Sequence, residues 1–588
     1  MKKLMSGNEA IARGAFEAGC FIAAAYPGTP STEILEYMSQ YQEVYSEWAP
    51  NEKVALEVAC GASIAGARAF AAMKHVGLNV AADPLFTIAY EGVNGGLVIV
   101  SADDPGIHSS QNEQDNRLYA PFAKIAMLEP SDSQECKDFM KHAFLISESF
   151  DIPVLLRVTT RVCHSKSLVE IKDRLEVGIK DYKKNVKKNV MAPANARAMH
   201  YVVEERLEKL AEYSNFCPMN NIEWAKSPKG IITSGISYQH AKEVFGDKVS
   251  YLKIGLTHPL PDKLIEEFAG AVEELYIIEE NEPYLEKHIK SMGIDCIGKK
   301  LIPVCGELNP EIISRSLLVS KEEDLYQTDI EVPNRPPVLC AGCPHRGLYY
   351  AMSKYKDIVT SGDIGCYTLG MVPPLNVTDT VICMGASISA GIGFKRAFIK
   401  GNKKEKVFAV IGDSTFFHSG ITGLVDVVYN NTPIVTVILD NSITAMTGHQ
   451  ENPGTGKTLM GEISHKIDIE QVVKSIGIKS ENIRIVDPYD LQATSAAVKD
   501  AYEATEPFVI ITKRECALMK DVIKKRANNY CVVDNEKCTM CKVCLKIGCP
   551  ALALKNGRME IDRAACNGCA LCSQVCKFDS IIKVGEAN

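Results

Sequence analysis

The 588-residue sequence contains no apolar run approaching the roughly 18 side chains that a membrane-spanning helix needs. A secretory leader is not expected either. The opening MKKLMSGNEAIARGAFEAGC has two lysines, but acidic and polar residues interrupt it at once. Positive charge is not in excess: 65 Lys and Arg stand against 73 Asp and Glu, a net charge of -8, and no broad basic field for nucleic acid results. The short basic runs KKNVKKN, from Lys183, and GNKKEK, from Gly401, read as solvated loops. These absences describe a soluble cytoplasmic chain with no membrane or nucleic-acid role, whose thiols are reduced and not paired. At 46% apolar residues the chain is ordinary globular protein, too long for one core, and divides into roughly three to five domains.

What is abundant is cysteine near the C-terminus. Eight of the 21 cysteines lie in KCTMCKVCLKIGCP (Lys537–Pro550) and ACNGCALCSQVCKF (Ala565–Phe578). Each stretch opens as C-x2-C-x2-C, which sets three thiolates around one iron–sulfur cube, and the fourth cysteine of each run ligates the other cluster. One [4Fe–4S] cluster is therefore assigned to Cys538, Cys541, Cys544 and Cys576, and a second to Cys549, Cys566, Cys569 and Cys572. The module resembles a bacterial two-cluster ferredoxin, with one extra residue before Cys549 and Lys577 where proline usually follows. Structural zinc is the rival, because C-x2-C pairs also suit that ion; the tripled repeat speaks against it.

Upstream, VFAVIGD and PIVTVILDN are short apolar runs separated by the helical stretch ITGLVDVVYN. Strand, helix and strand make a βαβ unit with parallel neighbouring strands. Ligands of such sheets bind at the carboxyl ends of the strands, where Asp413 and Asn441 fall. An acid and an amide oxygen there suit magnesium carrying phosphates. The pattern resembles the thiamine-diphosphate signature, although Gly412-Asp413-Ser414 and Asp440-Asn441 each depart from its commonest form by one residue. That resemblance implies the backbone carbonyl of Ile443 as a third protein ligand. NPGTGKT, around Lys457, lacks the first glycine and the preceding strand of a P-loop, so no ATP site is read there.

The N-terminal half offers a partner domain. GASIAGARAF at Gly61 echoes GASISAGIGF at Gly385. CFIAAAYPGTPSTEI reads as strand, turn and Ser/Thr-capped helix, with backbone N–H groups available to an anion. NEKVALEVACGAS places Glu57 on a largely apolar helix, where a buried carboxylate needs a partner. Thiamine enzymes use such a glutamate at the pyrimidine ring, and Glu57 is the candidate; Glu52, in a more polar turn, is expected at the surface.

Taken together, YPGTPSTEI, NEKVALEVACGASIAG, DDPGIHSSQNEQDNR, AGCPHRG, GDIGCYTLG, MGASISAGIGF, GDSTFFHSG and the cysteine tail resemble the 2-oxoacid:ferredoxin oxidoreductases over essentially the whole chain. The resemblance implies an α/β fold: thiamine-diphosphate-binding doubly wound parallel-sheet domains of pyrimidine type (1–185) and diphosphate type (333–525). Between them comes a middle transketolase-C-terminal-like α/β domain (186–332), opened by GIITSGISYQHAKEV and closed by the charged linker KEEDLYQTDIEVPNRPP. A two-cluster ferredoxin module (526–588) ends the chain.

The implied chemistry is coenzyme A-dependent oxidative decarboxylation of an arylpyruvate, with single electrons leaving through the clusters to ferredoxin. A smaller beta subunit is expected to complete the enzyme. Thr29 and Arg117 are the implied substrate contacts, although Arg117 has the alternative of capping an acidic loop. Cys343, His345, Gly365, Cys366, Gly385, Ala386 and Ser387, with Ser414, Thr415 and Thr444, would line the cofactor. Cys340 and Cys343 form an isolated C-x2-C pair, for which only Cys366 offers a further ligand. Pyruvate or 2-oxoglutarate as substrate, non-oxidative decarboxylation, and an electron-transfer subunit on an inactive scaffold are the alternatives. No coenzyme A site is legible.

Overall fold

Runs such as LVIVSAD and VLLRVT show no polar alternation, the pattern of strands covered on both faces. In the computed structural model, which describes residues 1–318, 330–333, 335–526 and 528–585, both are inner strands buried along their whole length. The chain divides into two units, Met1–Asp329 and Ile330–Asn588. Most of the charged linker lies outside the described residues. No helix among those described is long and apolar enough to cross a membrane.

The first unit is built on a seven-stranded sheet. Its order is Leu256–His258, Ala126–Leu128, Val154–Thr159, Leu97–Asp103, Ala69–Lys74, Ile22–Ala25 and Tyr45–Trp48. All neighbours run parallel except Leu256–His258, which joins the edge antiparallel. Helices Gly7–Glu17 and Ser133–Phe150 pack as one pair, and Glu52–Ile64 and Ala82–Glu91 as another. A second sheet in this unit sets Glu274–Ile278, Lys229–Ser234 and Ser250–Ile254 parallel, with Asn221–Glu223 antiparallel at its edge.

The second unit carries a six-stranded, wholly parallel sheet. Its order is Thr380–Val381, Ile358–Gly362, Lys406–Gly412, Val435–Asp440, Phe508–Lys513 and Ile483–Val486. VFAVIGD and PIVTVILDN are adjacent strands paired from Phe408 with Val435 to Gly412 with Leu439. The helix between them is Ile421–Tyr429. Beyond the sheet, Tyr530–Val533 pairs with Ile581–Val584, and Leu552–Lys555 with Arg558–Ile561. The tail cysteines pack in one apolar cluster with Ile547, Met559 and Leu571.

The two echoing strings occupy different places. Gly61–Ile64 ends the helix Glu52–Ile64, whereas Gly385 caps the start of Ala386–Lys400. A Cβ on Gly385 would meet Ser419 at 2.4 Å, whereas Gly61 faces open space, so the two strings share no structural position.

Candidate active site

Parallel strands Lys406–Gly412 and Val435–Asp440 deliver Asp413 and Asn441 to the same edge of the sheet. Asp413 is buried at 4% exposure, and among the described residues it has no ion pair. Burial first, then the nearby Asp440, pushes its carboxyl up to about 7. Its one side-chain donor is the amide of Asn452, 3.4 Å away. Asn441 is also buried, and its Oδ1 accepts from the N–H of Ile443 at 3.2 Å. Ser442 between them holds a left-handed φ of 59°, a turn secured by its N–H donating to Asp440 Oδ1 at 2.9 Å. The Thr444 hydroxyl donates to that of Ser414 at 3.0 Å. A buried acid with no cation beside it, flanked by an amide oxygen, is a donor set that suits a hard divalent ion.

Tyr367 explains the glycine of the Gly-Asp turn. A Cβ on Gly412 would meet its ring at 2.6 Å, and one on Gly365 at 2.2 Å. The Tyr367 hydroxyl lies 3.1 Å from that of Thr415 and donates to the Ile364 carbonyl at 2.7 Å. His345 meets the same ring edge-on and is fully buried, which drives its pKa down to about 4 and leaves the imidazole neutral.

Three expectations change here. The N–H groups of Gly385 and Ser387 donate to the buried carboxylate of Asp363, at 2.8 and 3.0 Å, and that of Ala386 to the Cys383 carbonyl. A helix N-terminus attracts an anion, and here an internal one holds it. These three residues therefore do not offer free N–H groups to a diphosphate.

Arg117 is 1% exposed and does not face an open site. Its guanidinium pairs with Asp115 at 2.6 Å and Glu279 at 2.7 Å, donates to the carbonyls of Glu280 and Glu282, and lies over the Tyr284 ring. The acidic-loop alternative is what the fold builds.

Glu57 is the third. The helix buries Glu52, Ala55, Leu56, Ala59, Cys60 and Ser63, an i, i+3, i+4 stripe. Glu57 lies about 100° off it, with its side chain 45% exposed and ion-paired to Lys53. Glu52, expected outside, is 5% exposed and packs so closely on Gly77 that no Cβ fits there. Thr29 is half-buried in the turn after strand Ile22–Ala25. Its helix, Thr32–Met38, has no side-chain cap, because the Ser31 hydroxyl turns back to the Gly28 carbonyl at 2.9 Å.

A cavity of about 80 Å³ is lined by Cys340, Cys343, His345, Cys366, Asn441, His449 and Cys516. Sequence reasoning missed Cys516 and His449, whose sulfur and Nε2 lie 3.8 Å apart. A signal existed for Cys516: it follows strand Phe508–Lys513, the parallel neighbour of Val435–Asp440, and its N–H reaches the Asn441 carbonyl at 3.0 Å. Burial pushes the Cys343, Cys366 and Cys516 thiols up.

In the tail, the four cysteines Cys549, Cys566, Cys569 and Cys572 line one apolar cavity together with Cys531 and Arg346. Cys544 has Cys541, Cys576 and Cys538 as its charged-state neighbours. Among the described residues no three His, Cys, Asp or Glu side chains converge to hold a single metal ion. A cluster asks for something wider, because its cysteines ligate separate irons.

Comparison with known proteins agrees with this architecture. Residues 13–214 match the family model described as pyruvate flavodoxin/ferredoxin oxidoreductase, thiamine-diphosphate-binding, and 363–512 that of the thiamine pyrophosphate enzyme, C-terminal TPP binding domain. The indolepyruvate oxidoreductase subunit IorA of Archaeoglobus fulgidus is 40% identical over 100% of this chain and 98% of its own. That of Pyrococcus abyssi is 42% identical over 99% of this chain and 97% of its own. A solved 2-oxoglutarate:ferredoxin oxidoreductase from Magnetococcus marinus aligns with 54% of this chain and 65% of its own, at TM-score 0.45 and 19% identity, too far to add to the argument. With two thiamine-diphosphate-binding domains in sequence and identity of this order from end to end, the chain belongs to the IorA family of indolepyruvate oxidoreductase subunits.

Proposed function

We propose that the chain is the catalytic large subunit of an indolepyruvate:ferredoxin oxidoreductase. It would convert arylpyruvates and coenzyme A to aryl-acetyl-CoA and carbon dioxide, with electrons passing singly to ferredoxin. The observation that carries this reading is the end-to-end likeness to IorA subunits, in a chain whose second unit holds both the Asp413–Asn441 edge and the cysteine tail.

Asp413, Asn441 and the Ile443 carbonyl would hold magnesium and, through it, the diphosphate of thiamine diphosphate. When bound, that cofactor supplies an electron sink for loss of carbon dioxide. Ser414 and Thr444 brace the loop beside the ion; Thr415 and Gly365 shape the wall around Tyr367. Cys343, Cys366 and the neutral His345 form the wall of the adjoining cavity. Thr29 is kept as a substrate contact, and Glu57 as the acid at the pyrimidine. Because Glu57 is exposed on its own unit, that role requires a further protein surface to cover it.

The two tail clusters are assigned to Cys538, Cys541, Cys544 and Cys576, and to Cys549, Cys566, Cys569 and Cys572. The four thiols of Cys340, Cys343, Cys366 and Cys516 around one cavity also supply the ligand count of a further cluster. The domain reading is 1–185 pyrimidine, 186–332 middle, 333–525 diphosphate and 526–588 ferredoxin, in a cytoplasmic complex with a smaller beta subunit.

An anaerobic assay tests the proposal. The chain with its small subunit, thiamine diphosphate and magnesium is given indolepyruvate, phenylpyruvate, pyruvate or 2-oxoglutarate, with and without coenzyme A, and a ferredoxin or dye acceptor. Acceptor reduction that needs coenzyme A and favours the aryl acids supports it. Aldehyde and carbon dioxide formed without an acceptor would make the protein a decarboxylase.

A further inference from the structure

Five arginines are buried among the described residues: Arg68, Arg117, Arg157, Arg206 and Arg346. Four of them sit on carboxylates: Glu148, Asp115 with Glu279, Asp103 with Glu129, and Asp151 respectively. Arg346 differs. It is 2% exposed and has no carboxylate partner among the described residues; its donors end on the carbonyls of Leu339, Cys340, Ile547 and Gly548. Carbonyl dipoles satisfy hydrogen bonds but leave the unit charge uncompensated, which is costly in a protein interior.

Its surroundings identify the missing countercharge. Arg346 lines the cavity bounded by Cys549, Cys566, Cys569 and Cys572. The ionisable groups that act on it are thiols: Cys549 and Cys569 in the tail, Cys343 and Cys340 in the loop before its helix. The backbone also ties the two stretches together, because the same guanidinium bonds Leu339 and Cys340 on one side and Ile547 and Gly548 on the other.

We propose that Arg346 is a positioning residue for electron transfer, a buried cation whose partner is the anionic, thiolate-ligated cluster of Cys549, Cys566, Cys569 and Cys572. This rests on the iron–sulfur reading of the tail. Taking up one electron adds one negative charge to the cluster, with no bond made or broken, and a fixed cation at its wall favours that reduced form. Docking of the Cys340–Cys343 loop on the tail and the potential of the cluster are both set by one side chain.

The test uses the full chain, reconstituted anaerobically with iron and sulfide, comparing wild type with Arg346→Met, Arg346→Gln and Arg346→Lys. Iron is counted first, and then each cluster is titrated with its reduced spectrum followed by electron paramagnetic resonance. The expected result is that Met and Gln weaken reduction of one cluster about tenfold, about 59 mV for a one-electron couple. The other tail cluster does not move, and Lys stays near wild type. Should the Met variant lose its iron, the Gln variant, which still donates to a carbonyl, is read in its place. Equal shifts for Lys and Met, no shift in any variant, or iron loss in all three would overturn the proposal. A wild-type chain that takes up no iron would overturn the tail reading along with it.

Discussion

The amide of Asn452 donates to the carboxylate of Asp413 across 3.4 Å, and among the described residues this is the only side-chain hydrogen bond that the buried acid receives. Asp413 is thus held in place without a cationic partner among the described residues. Asp413→Ala and Asn441→Ala are expected to weaken magnesium-dependent binding of thiamine diphosphate at least about 100-fold, the scale on which a lost ligand or its support acts. The Asp413→Ala apoprotein should unfold at an unchanged or higher temperature, because a costly buried acid has gone. Calorimetric titration with the cofactor and thermal unfolding together check this.

Arg117 makes the opposite prediction. Arg117→Met leaves Asp115 and Glu279 buried without their cation and should cost about 3–5 kcal/mol in unfolding free energy. Substrate KM in the surviving enzyme should stay near wild type. Urea unfolding beside steady-state kinetics separates the two; a large KM effect at full stability would restore a substrate role.

Glu57 and Glu52 trade places in the same way. Glu57→Gln should abolish turnover with no measurable change in unfolding midpoint, since the side chain is half exposed. Glu52→Ala should lower the midpoint first, because Glu52 fills the contact with Gly77. Turnover retained in Glu57→Gln would remove it from the chemistry.

His258 ties the strand Leu256–His258 to the first sheet, its Nδ1 lying 2.8 Å from the Ile125 carbonyl. Burial lowers its pKa to about 4 from 6.5. A folded-state pKa below the unfolded one gives stability that is present above pH 6.5 and lost as pH falls through 4. The loss amounts to about 3 kcal/mol. His258→Gln should flatten that part of the stability–pH curve, measured by denaturant unfolding between pH 7 and pH 4.

Iron content distinguishes the cysteine sets. Two tail clusters give about eight irons per chain, and a further cluster at Cys340, Cys343, Cys366 and Cys516 about twelve. Cys516→Ala should then remove about four irons while leaving the tail intact, as read by metal analysis and the reduced-cluster spectrum. A constant count of eight would make Cys516 a wall residue.

The local parts of this protein were legible without coordinates. Cysteine spacing brings thiols together through a few bonds of one loop, so C-x2-C-x2-C alone gathers Cys566, Cys569 and Cys572, which line one cavity. Strand periodicity likewise placed Asp413 and Asn441 at one sheet edge, because a βαβ unit leaves no other arrangement for its two strand ends. What the sequence left open was decided by long-range packing. Helix phase against the first sheet exposes Glu57 and buries Glu52. The approach of Glu279 to the Asp115 turn, more than 160 residues away, makes Arg117 part of the interior. Strand order sets Cys516 beside Asn441, and the fold of the Asp363 loop closes the N-terminus at Gly385. These outcomes turn on which surfaces meet and how much charge they enclose. That is a property of the assembled structure, and no single window of sequence contains it.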